Sequence, residues 1–537
     1  MAQQYDIFKR IIFLIAVKFL IICILIFAVF KISTNKKLEG ISDKENFYKL
    51  KIQNVRGNIY DCRGIPLLNT SKKFLAAVIP TKNNFIPLIN HVPAEQKESF
   101  KQNFLKNRPF ISEVLCNLKT ENVKIFEISQ QVFNSDFLCH TIGYIKNRCG
   151  TCGIEKSFDK HLNSFKNIEI EYQKNALGQI VAKEKNYDFY DKSYQNAYGV
   201  QLCIDKRIQE IAEETAKKYI SKGAVLVTEV PNCKIRASLS LPGFNPEHIK
   251  DFLKSKDSNF LNRVNCEYNL GSIFKLVTAA CLMESGMSLH ETYNCSGADY
   301  IGGGVKIKCF DGNAHGDVNL ENAVALSCNT MFAKLSKRLN PEFFIKTAKS
   351  LGFGEKIELA PEFNSEPGNL PSTEELKDDK KLAMFAFGQG SLMATPMQVA
   401  AFINAIACEG IYHHPKLIEG LINKDGSFEK YHFLLPKRVL KPQTAKNLKK
   451  FMKKSIILGT AKYANLKNIT AAAKTSTAET GIFINGNRVN QSWIAGFFPF
   501  ENPKYSIVVL AENINLGGKI CGPVFKEIAE KISKFWN

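Results

Sequence analysis

The sequence predicts an α+β multidomain protein. It combines an N-terminal transmembrane helix, an elongated α+β domain, and a larger domain with an antiparallel sheet flanked by helices and an all-helical subdomain. Three observations predict this fold class. An apolar run near the N-terminus is long enough to cross a bilayer. The chain has 537 residues, too many for one ordinary core, so we expect two folded domains. Strand-like runs lie at both ends of the second half, with helix-like segments between them.

The N-terminal apolar run, Ile11 to Phe30, is broken only by Lys18. It exceeds the apolar region of a typical signal peptide and no small-x-small cleavage site follows, so we expect a retained anchor. Basic residues lie on both sides of the run: Lys9, Arg10, Lys31, Lys36 and Lys37. Flanking charge therefore does not set the orientation of the anchor. We expect a short cytoplasmic tail at 1–10 and a transmembrane anchor at 11–31.

The region from residue 32 to about 195 alternates short strand-like and helix-like pieces and carries none of the polar motifs described below. We expect a non-catalytic α+β domain at 32–195. A polar stretch rich in Tyr and Asn, 185–198, predicts the join to a second domain at 196–537.

The second domain opens with a strand (200–204), an amphipathic helix and a hairpin (224–230 and 235–239), whose turn is Pro231-Asn232. It closes with two strands (489–498 and 505–511) and a final helix. The apolar faces of the two helices are expected to be Ile208, Ile211, Ala212 and Ala216, and Val524, Ile528, Ile532 and Phe535. These pieces predict an antiparallel sheet covered by terminal helices, with an all-helical insertion from about 265 to 460.

Three polar motifs in the second domain carry the chemistry: Ser272-Ile-Phe-Lys275, Ser327-Cys-Asn329 and Lys474-Thr-Ser-Thr477. Ser-x-x-Lys also begins at Ser33, Ser157 and Ser427, but only Ser272 has apolar flanks. The stretch 271–284 is apolar almost all round, as in a buried helix that ends before Gly286. Ser272 and Lys275 are expected in its first turn, three residues apart on one face.

These residue types suit acyl transfer by a serine. A serine hydroxyl needs a base, and Lys275 can serve as one if burial and a nearby cation such as Lys474 lower its pKa. Ser327 would relay protons, and Asn329 would hold Lys275 and the substrate backbone. Thr475, Ser476 and Thr477 are expected to bind substrate, and the backbone N–H groups of Ser272 and Thr477 to form an oxyanion hole.

This set of motifs resembles that of class B penicillin-binding proteins, which are peptidoglycan D,D-transpeptidases. Further segments resemble family landmarks: Arg263–Lys275, Gly388–Gly390, Thr395-Pro396, Trp493–Pro499, and, in the first half, Arg56–Asp61 and Gly153–Glu155. Two positions depart from the family pattern. Ser476 replaces the usual Gly beside the substrate strand, and Cys62-Arg63 follows Asp61 where Arg and then a polar residue are common.

The resemblance implies that 32–195 is a pedestal or dimerisation-like domain and that 196–537 is a penicillin-binding transpeptidase domain outside the cytoplasm, at the cell membrane. Ser272 would attack the penultimate D-Ala carbonyl of a peptidoglycan stem peptide. An amine of a neighbouring stem would then take the acyl group, and β-lactams would acylate the same serine. No glycosyltransferase module fits the first half, so the resemblance implies a membrane glycan polymerase of the SEDS type as a partner in cell-wall synthesis.

Two other functions stay open. The first is a D,D-carboxypeptidase or β-lactamase-like hydrolase, in which water replaces the amine, although the large first half disfavours a β-lactamase. The second is a non-enzymatic β-lactam sensor, or a divisome or elongasome scaffold, which the complete motifs disfavour. Nucleic-acid binding is not expected despite a net charge of +21, since lysines are scattered and no nucleic-acid motif occurs. A basic surface beside anionic lipids and polymers, or simply a lysine-rich composition, accounts for the charge.

The chain contains 15 cysteines, an odd number that cannot all pair. Cys295 and Cys309 lie symmetrically about Gly302, so a hairpin there predicts a disulfide or a close thiol pair. Cys149-Gly-Thr-Cys152, with Cys139 and His140 upstream, is interpreted as a turn because no second closely spaced pair completes a metal site. His315, His413 and His414 are assigned to surface or packing roles, and neither a metal nor a cofactor is expected.

Overall fold

The computed structural model describes residues 2–34, 47–52, 56–132, 135–147, 149–163, 168–175, 180, 198–301, 304–484, 487–513 and 517–536. The predicted join at 185–198 lies outside these residues except for Tyr198. The chain forms two compact units. The first comprises Met1–Val55, Thr70–Gln130 and Phe165–Gln195, and the second comprises Arg56–Asn69, Gln131–Ser164 and Asn196–Asn537. Segments 56–69 and 131–164 therefore group with the larger unit.

The α-helices are α1 Ala2–Ser33, α2 Phe85–Ile89, α3 Lys97–Leu105, α4 Cys139–Ile142, α5 Gly153–Ser157, α6 Asp159–Leu162, α7 Lys206–Tyr219, α8 Ile249–Phe252, α9 Lys275–Glu284, α10 Leu320–Leu326, α11 Asn329–Leu335, α12 Pro341–Ser350, α13 Asp379–Ala386, α14 Pro396–Ala407, α15 Pro442–Ile457 and α16 Gly517–Ser533.

The strands are β1 Phe47–Ile52, β2 Asn58–Tyr60, β3 Asn69–Val78, β4 Phe110–Val114, β5 Val123–Val132, β6 Ile145–Lys146, β7 Cys149–Gly150, β8 Ile168–Gln173, β9 Gly199–Leu202, β10 Gly223–Glu229, β11 Lys234–Leu241, β12 Tyr268–Asn269, β13 Tyr293–Cys295, β14 Ala298–Ile301, β15 Val305–Lys308, β16 Gly316–Val318, β17 Glu358–Ala360, β18 Phe363–Asn364, β19 Met393–Ala394, β20 Ile411–Tyr412, β21 Ile418–Ile422, β22 Phe428–Lys430, β23 Lys437–Arg438, β24 Ala472–Ile484, β25 Asn487–Phe498 and β26 Tyr505–Glu512.

The first unit contains the apolar N-terminal helix and a small α+β core. Within α1, Ile7–Ser33 is long and apolar enough to cross a membrane. The core combines the β1–β8 pair with a sheet in the order β4-β3-β5. Apolar residues of β3 and β4 pack with Leu88 and Phe100 of α2 and α3, which explains the alternation of short strands and helices in the sequence.

The second unit is built on a five-stranded antiparallel sheet in the order β11-β10-β26-β25-β24. The predicted hairpin is confirmed as β10 and β11, and the two late strands as β25 and β26. α7 and α16 cover one face, since Ile208 and Ile528 share a buried cluster with Val225 and Val509 of the sheet. The opposite face, including Trp493, packs into the core that holds the helix α9.

Two sequence expectations differ from the structure. The strand predicted at 200–204 is β9, which belongs to a separate sheet in the order β2-β9-β21-β22. Phe535 does not extend the apolar face of the last helix, because α16 ends at Ser533 and Phe535 is exposed.

The insertion between β11 and β24 is mainly helical, with short antiparallel pairs between its helices. One is the hairpin of β14 and β15, predicted from the glycines at 302–304, in which Ile301 pairs with Val305. Others, such as β17–β18 and β20–β23, are two or three residues long. Runs this short carry too little periodicity to be distinguished from loops in a sequence.

Candidate active site

The predicted nucleophile lies where the insertion meets the edge of the main sheet. Ser272 belongs to a 3₁₀ turn, Gly271–Phe274, that leads directly into α9. The Lys275 Nζ donates to the Ser272 Oγ at 2.9 Å. Ile273 and Phe274 are fully buried and anchor the turn, and Phe274 packs against Phe344, Phe353 and Phe385.

The second motif meets Lys275 from the other side. Ser327 joins α10 to α11 in a left-handed conformation, with φ of 61°. Such a backbone is costly for a residue other than glycine and often marks a functional site. The Lys275 Nζ donates to the Ser327 carbonyl oxygen at 2.9 Å, the Ser327 Oγ at 3.1 Å and the Asn329 Oδ1 at 2.6 Å. Asn329 is held in turn by donating its Nδ2 hydrogen to the Lys308 carbonyl.

These contacts fit a lysine that changes protonation state. Burial lowers the pKa of Lys275 to about 8. The Ser327 carbonyl and the Asn329 Oδ1 can only accept hydrogen bonds, so they occupy two N–H groups of a neutral amine. The remaining lone pair then faces the hydroxyls of Ser272 and Ser327, either of which can donate to it.

The third motif lies on β24, which pairs with β25 and forms one edge of the five-stranded sheet. Lys474 is fully buried, and its Nζ donates to the Thr475 carbonyl oxygen at 2.9 Å. Burial and the nearby cation of Lys275 lower the pKa of Lys474 well below its ordinary value. Lys275 thus influences Lys474 electrostatically, whereas the predicted lowering of the Lys275 pKa by Lys474 stays a prediction.

Ser476, the departure from the family pattern, points at the nucleophile turn. Its side chain is buried, and its Oγ has no hydrogen-bond partner among the residues that the structure describes. A Cβ atom built on Gly271 would lie 2.3 Å from this oxygen, and Gly271 has φ of +64°. The extra hydroxymethyl group is thus accommodated because Gly271 has no side chain.

The cysteines beside the second motif form a cluster. Cys295 and Cys309 are free, with their sulfurs 3.7 Å apart, so the structure contains the close thiol pair rather than the disulfide. Cys328 joins them at 3.9 Å from the Cys309 sulfur, and the His315 Nδ1 lies 3.4 Å from the Cys295 sulfur. The sequence around His315 contains no carboxylate or second-ligand pattern and so predicts a surface or packing role; in the structure its partners in the cluster come from three separate segments.

The donor set of this cluster fits a soft divalent cation. All four donor atoms lie within 4.8 Å of one another. In a tetrahedral zinc site, sulfurs bonded at about 2.3 Å lie about 3.8 Å apart, and a sulfur and a nitrogen ligand about 3.6 Å apart. The three separations of 3.7, 3.9 and 3.4 Å given above are close to these values. Cys139, His140, Cys149 and Cys152 do not form such a group among the described residues.

A further polar residue at the site, Thr460, was not identified from the sequence. It lies in the loop after α15, and its Oγ1 accepts a hydrogen bond from the Thr475 Oγ1 at 2.6 Å. Its position follows from tertiary packing, and no short motif surrounds it. The oxyanion hole and the substrate contacts of Thr477 remain predictions.

The fold and the site together define a serine-type acyltransferase. Residues 223–530 match the family model described as penicillin binding protein transpeptidase domain. The chain therefore belongs to the penicillin-binding protein transpeptidase family, and within it to class B, the serine-type D,D-transpeptidases.

Relatives span nearly the whole chain. Stage V sporulation protein D of Bacillus subtilis is 24% identical, over 92% of this chain and 80% of that protein. Peptidoglycan D,D-transpeptidase FtsI of Buchnera aphidicola subsp. Schizaphis graminum is 25% identical, over 96% and 93%. The same fold occurs in a complex between penicillin-binding protein PBP2 and MreC from Helicobacter pylori, with a TM-score of 0.68, 23% identity, and 91% and 99% coverage.

Proposed function

We propose that this chain cross-links peptidoglycan stem peptides through a Ser272 acyl-enzyme. The observation that carries the proposal is the position of the buried Lys275 amine, within 3.1 Å of Ser272, Ser327 and Asn329 at once. A base in this position can take the Ser272 proton and return protons through Ser327, which acyl transfer requires.

Each residue would have a defined role in the two half-reactions. The neutral Lys275 removes the Ser272 proton as the Ser272 Oγ attacks the penultimate D-Ala carbonyl. The Ser327 hydroxyl passes that proton to the leaving D-Ala amine. In the second half, the same groups deprotonate the acceptor amine, which attacks the ester and releases Ser272. The N–H groups of Ser272 and Thr477 stabilise the oxyanion in both steps.

Strand β24 would bind the donor peptide. As an edge strand it can pair with an extended peptide through its backbone, while Lys474 and Thr475 face the terminal carboxylate. β-Lactams carry a comparable carboxylate and would acylate Ser272 in the same position. Hydrolysis by water, as in a D,D-carboxypeptidase, uses the same acylation step and differs only in the acceptor.

The proposal extends to the rest of the chain. The helix α1 anchors the protein in the cell membrane as a single pass, residues 32–195 act as a non-catalytic pedestal, and residues 196–537 act outside the cytoplasm. A membrane glycan polymerase of the SEDS type would supply the strands to be cross-linked. The H. pylori PBP2 complex with MreC supports the idea that a protein of this fold works together with partner proteins.

The function is tested with a fluorescent penicillin on membranes that contain the full chain. We expect a long-lived covalent adduct on the native protein and none on Ser272→Ala. A matched control is Ser427→Ala, since Ser427 begins another Ser-x-x-Lys sequence and lies in a surface turn. Rapid loss of the adduct would favour a β-lactamase, and no adduct on the native chain would refute the proposed nucleophile.

A second proposal concerns the cluster of Cys295, Cys309, His315 and Cys328, which we propose holds a zinc-like cation. The metal would fix the segment around Ser327 and Asn329 and would take no part in proton transfer.

Metal analysis of the purified full chain is expected to find about one zinc per chain, consistent with a Cys₃His site. Cys295→Ser and His315→Ala should lose the metal and unfold at lower temperature, whereas Cys149→Ser, at an exposed position, should retain it. A native chain without metal would contradict the proposal.

A further inference from the structure

Thr460 connects the second and third motifs although it belongs to neither. Its backbone N–H donates to the Ala325 carbonyl at 3.3 Å, two residues before Ser327. Its Oγ1 lies 2.6 Å from the Thr475 Oγ1 and 3.5 Å from the Lys474 Nζ. The preceding Gly459 packs closely on the same carbonyl, since a Cβ there would lie 2.1 Å from the Ala325 oxygen. The loop is thus fixed beside the site.

The hydrogen bonds around Thr460 leave it one donor for a ligand. A threonine hydroxyl has one O–H donor and two acceptor positions. Thr475 and Lys474 both donate to the Thr460 oxygen, so its acceptor positions are used and its hydrogen remains. Thr475 uses its own hydroxyl hydrogen in this contact. Lys474 and Thr475 are buried, whereas Thr460 is exposed.

The surroundings of this donor favour an anion. In its protonated form, which a bound anion favours, Lys474 has three N–H groups, of which the Thr475 carbonyl and Thr460 take two. The first turn of α16 lies alongside, since a Cβ on Gly518 would lie 2.8 Å from the Thr460 carbonyl oxygen and 3.9 Å from the Thr475 methyl carbon. The positive end of this 17-residue helix adds to the Lys474 charge.

We infer that Thr460 is a specificity-determining residue that donates a hydrogen bond to the C-terminal carboxylate of the donor peptide, and to the equivalent carboxylate of a β-lactam. This inference rests on the proposed function and adds to it a contact from outside the three motifs. Thr475 orients the Thr460 hydroxyl by donating to it, and Lys474 supplies the charge.

The test compares acylation by benzylpenicillin with acylation by its methyl ester, which lacks the carboxylate charge. Second-order acylation constants are measured on the full chain in membranes. For Thr460→Val, which keeps the shape and removes the hydroxyl, we expect the constant for the free acid to fall about tenfold and that for the ester to change less than about twofold. This loss corresponds to one hydrogen bond to a charged group. Thr460→Ser, which keeps the hydroxyl, should retain the native ratio of the acylation constants for the free acid and the ester.

The ratio of the two constants is measured within each variant, so it does not depend on the fraction of folded protein. Thr470→Val is the matched control, since Thr470 is an exposed threonine bonded to Glu501, and its ratio should equal the native one. An equal loss on both ligands in Thr460→Val would overturn the inference and leave the proposed function intact. A native chain that neither ligand acylates would overturn both.

Discussion

Lys275, the proposed base, shows how burial favours the neutral form of an amine. Its amine has four oxygen atoms within hydrogen-bond distance, and none of them carries a charge. A carboxylate in their place would hold the lysine as a cation, whereas neutral acceptors leave burial as the dominant influence on its pKa. The pKa of the Lys275 amine is thereby lowered, and its hydrogen bonds hold it in a fixed orientation toward Ser272.

The pH dependence of acylation should report this base. Because Lys275 must be neutral to accept the Ser272 proton, and burial lowers its pKa to about 8, we expect the acylation constant to rise with pH up to about 8 and then level off. Penicillin acylation of the full chain from pH 6 to 10 measures this profile.

The variant Asn329→Asp provides the matched comparison. It replaces the Oδ1 that lies 2.6 Å from the Lys275 amine with a carboxylate oxygen of similar position. A negative charge favours the ammonium, so the midpoint should move upward by about one pH unit or more. A profile that does not shift would indicate that a different group limits acylation.

Ser476 is expected to reduce stability slightly. Its buried Oγ has no partner among the described residues, and an unsatisfied buried hydroxyl costs about 1–3 kcal/mol. We expect Ser476→Ala to raise the free energy of unfolding by about 1 kcal/mol, as measured by denaturant unfolding of the full chain in detergent. Ser492→Ala, at another buried position of the same sheet, serves as the comparison. A loss of stability in Ser476→Ala would mean that the hydroxyl has a partner.

At the scale of elements, the nucleophile turn is held between β24 and the loop that ends α13. On one side Gly271 contacts Ser476 of β24. On the other side Gly388 lies so close that a Cβ there would be 1.9 Å from the Gly271 carbonyl oxygen. The position of Ser272 therefore depends on two close approaches that side chains would prevent.

Replacing Gly388 should displace the nucleophile turn. Gly388→Ala places an alanine in a left-handed backbone conformation, with φ of +88°, and its Cβ would collide with the Gly271 carbonyl oxygen. Gly286→Ala is a matched control, because Gly286 ends α9 with φ of +89° and has open space where the Cβ would be. Both variants place an alanine in a left-handed conformation, which costs about 1–2 kcal/mol. The difference in acylation rate between the two variants therefore reports the collision alone. We expect the rate of penicillin acylation to fall more than about tenfold in Gly388→Ala, which corresponds to about 1.4 kcal/mol. The rate in Gly286→Ala should not fall. Equal acylation rates in the two variants would contradict this account.

Across the whole molecule, the sequence predicts those features that short motifs and periodicity encode. The apolar context of Ser272, the hairpin of β10 and β11 and the late strands β25 and β26 are such features. It did not predict groups assembled from distant segments. Thr460 reaches Thr475 through the packing of a loop, and His315 and Cys328 join Cys295 and Cys309 only after the insertion has folded. Ligand spacing along the chain reveals such a site only when several ligands come from one segment.

The orientation of the whole protein in the membrane is the last prediction. Basic residues flank the apolar helix on both sides, for example Arg10 and Lys31, so the sequence alone does not fix its direction. The proposed cross-linking of stem peptides requires the catalytic unit to face the outside of the cytoplasm. Spheroplasts that carry the full chain should therefore label with a membrane-impermeant fluorescent penicillin as strongly as lysed cells do, and external trypsin should remove the signal while a cytoplasmic marker stays intact. Ser272→Ala sets the background, and labelling that appears only after lysis would place the catalytic unit in the cytoplasm.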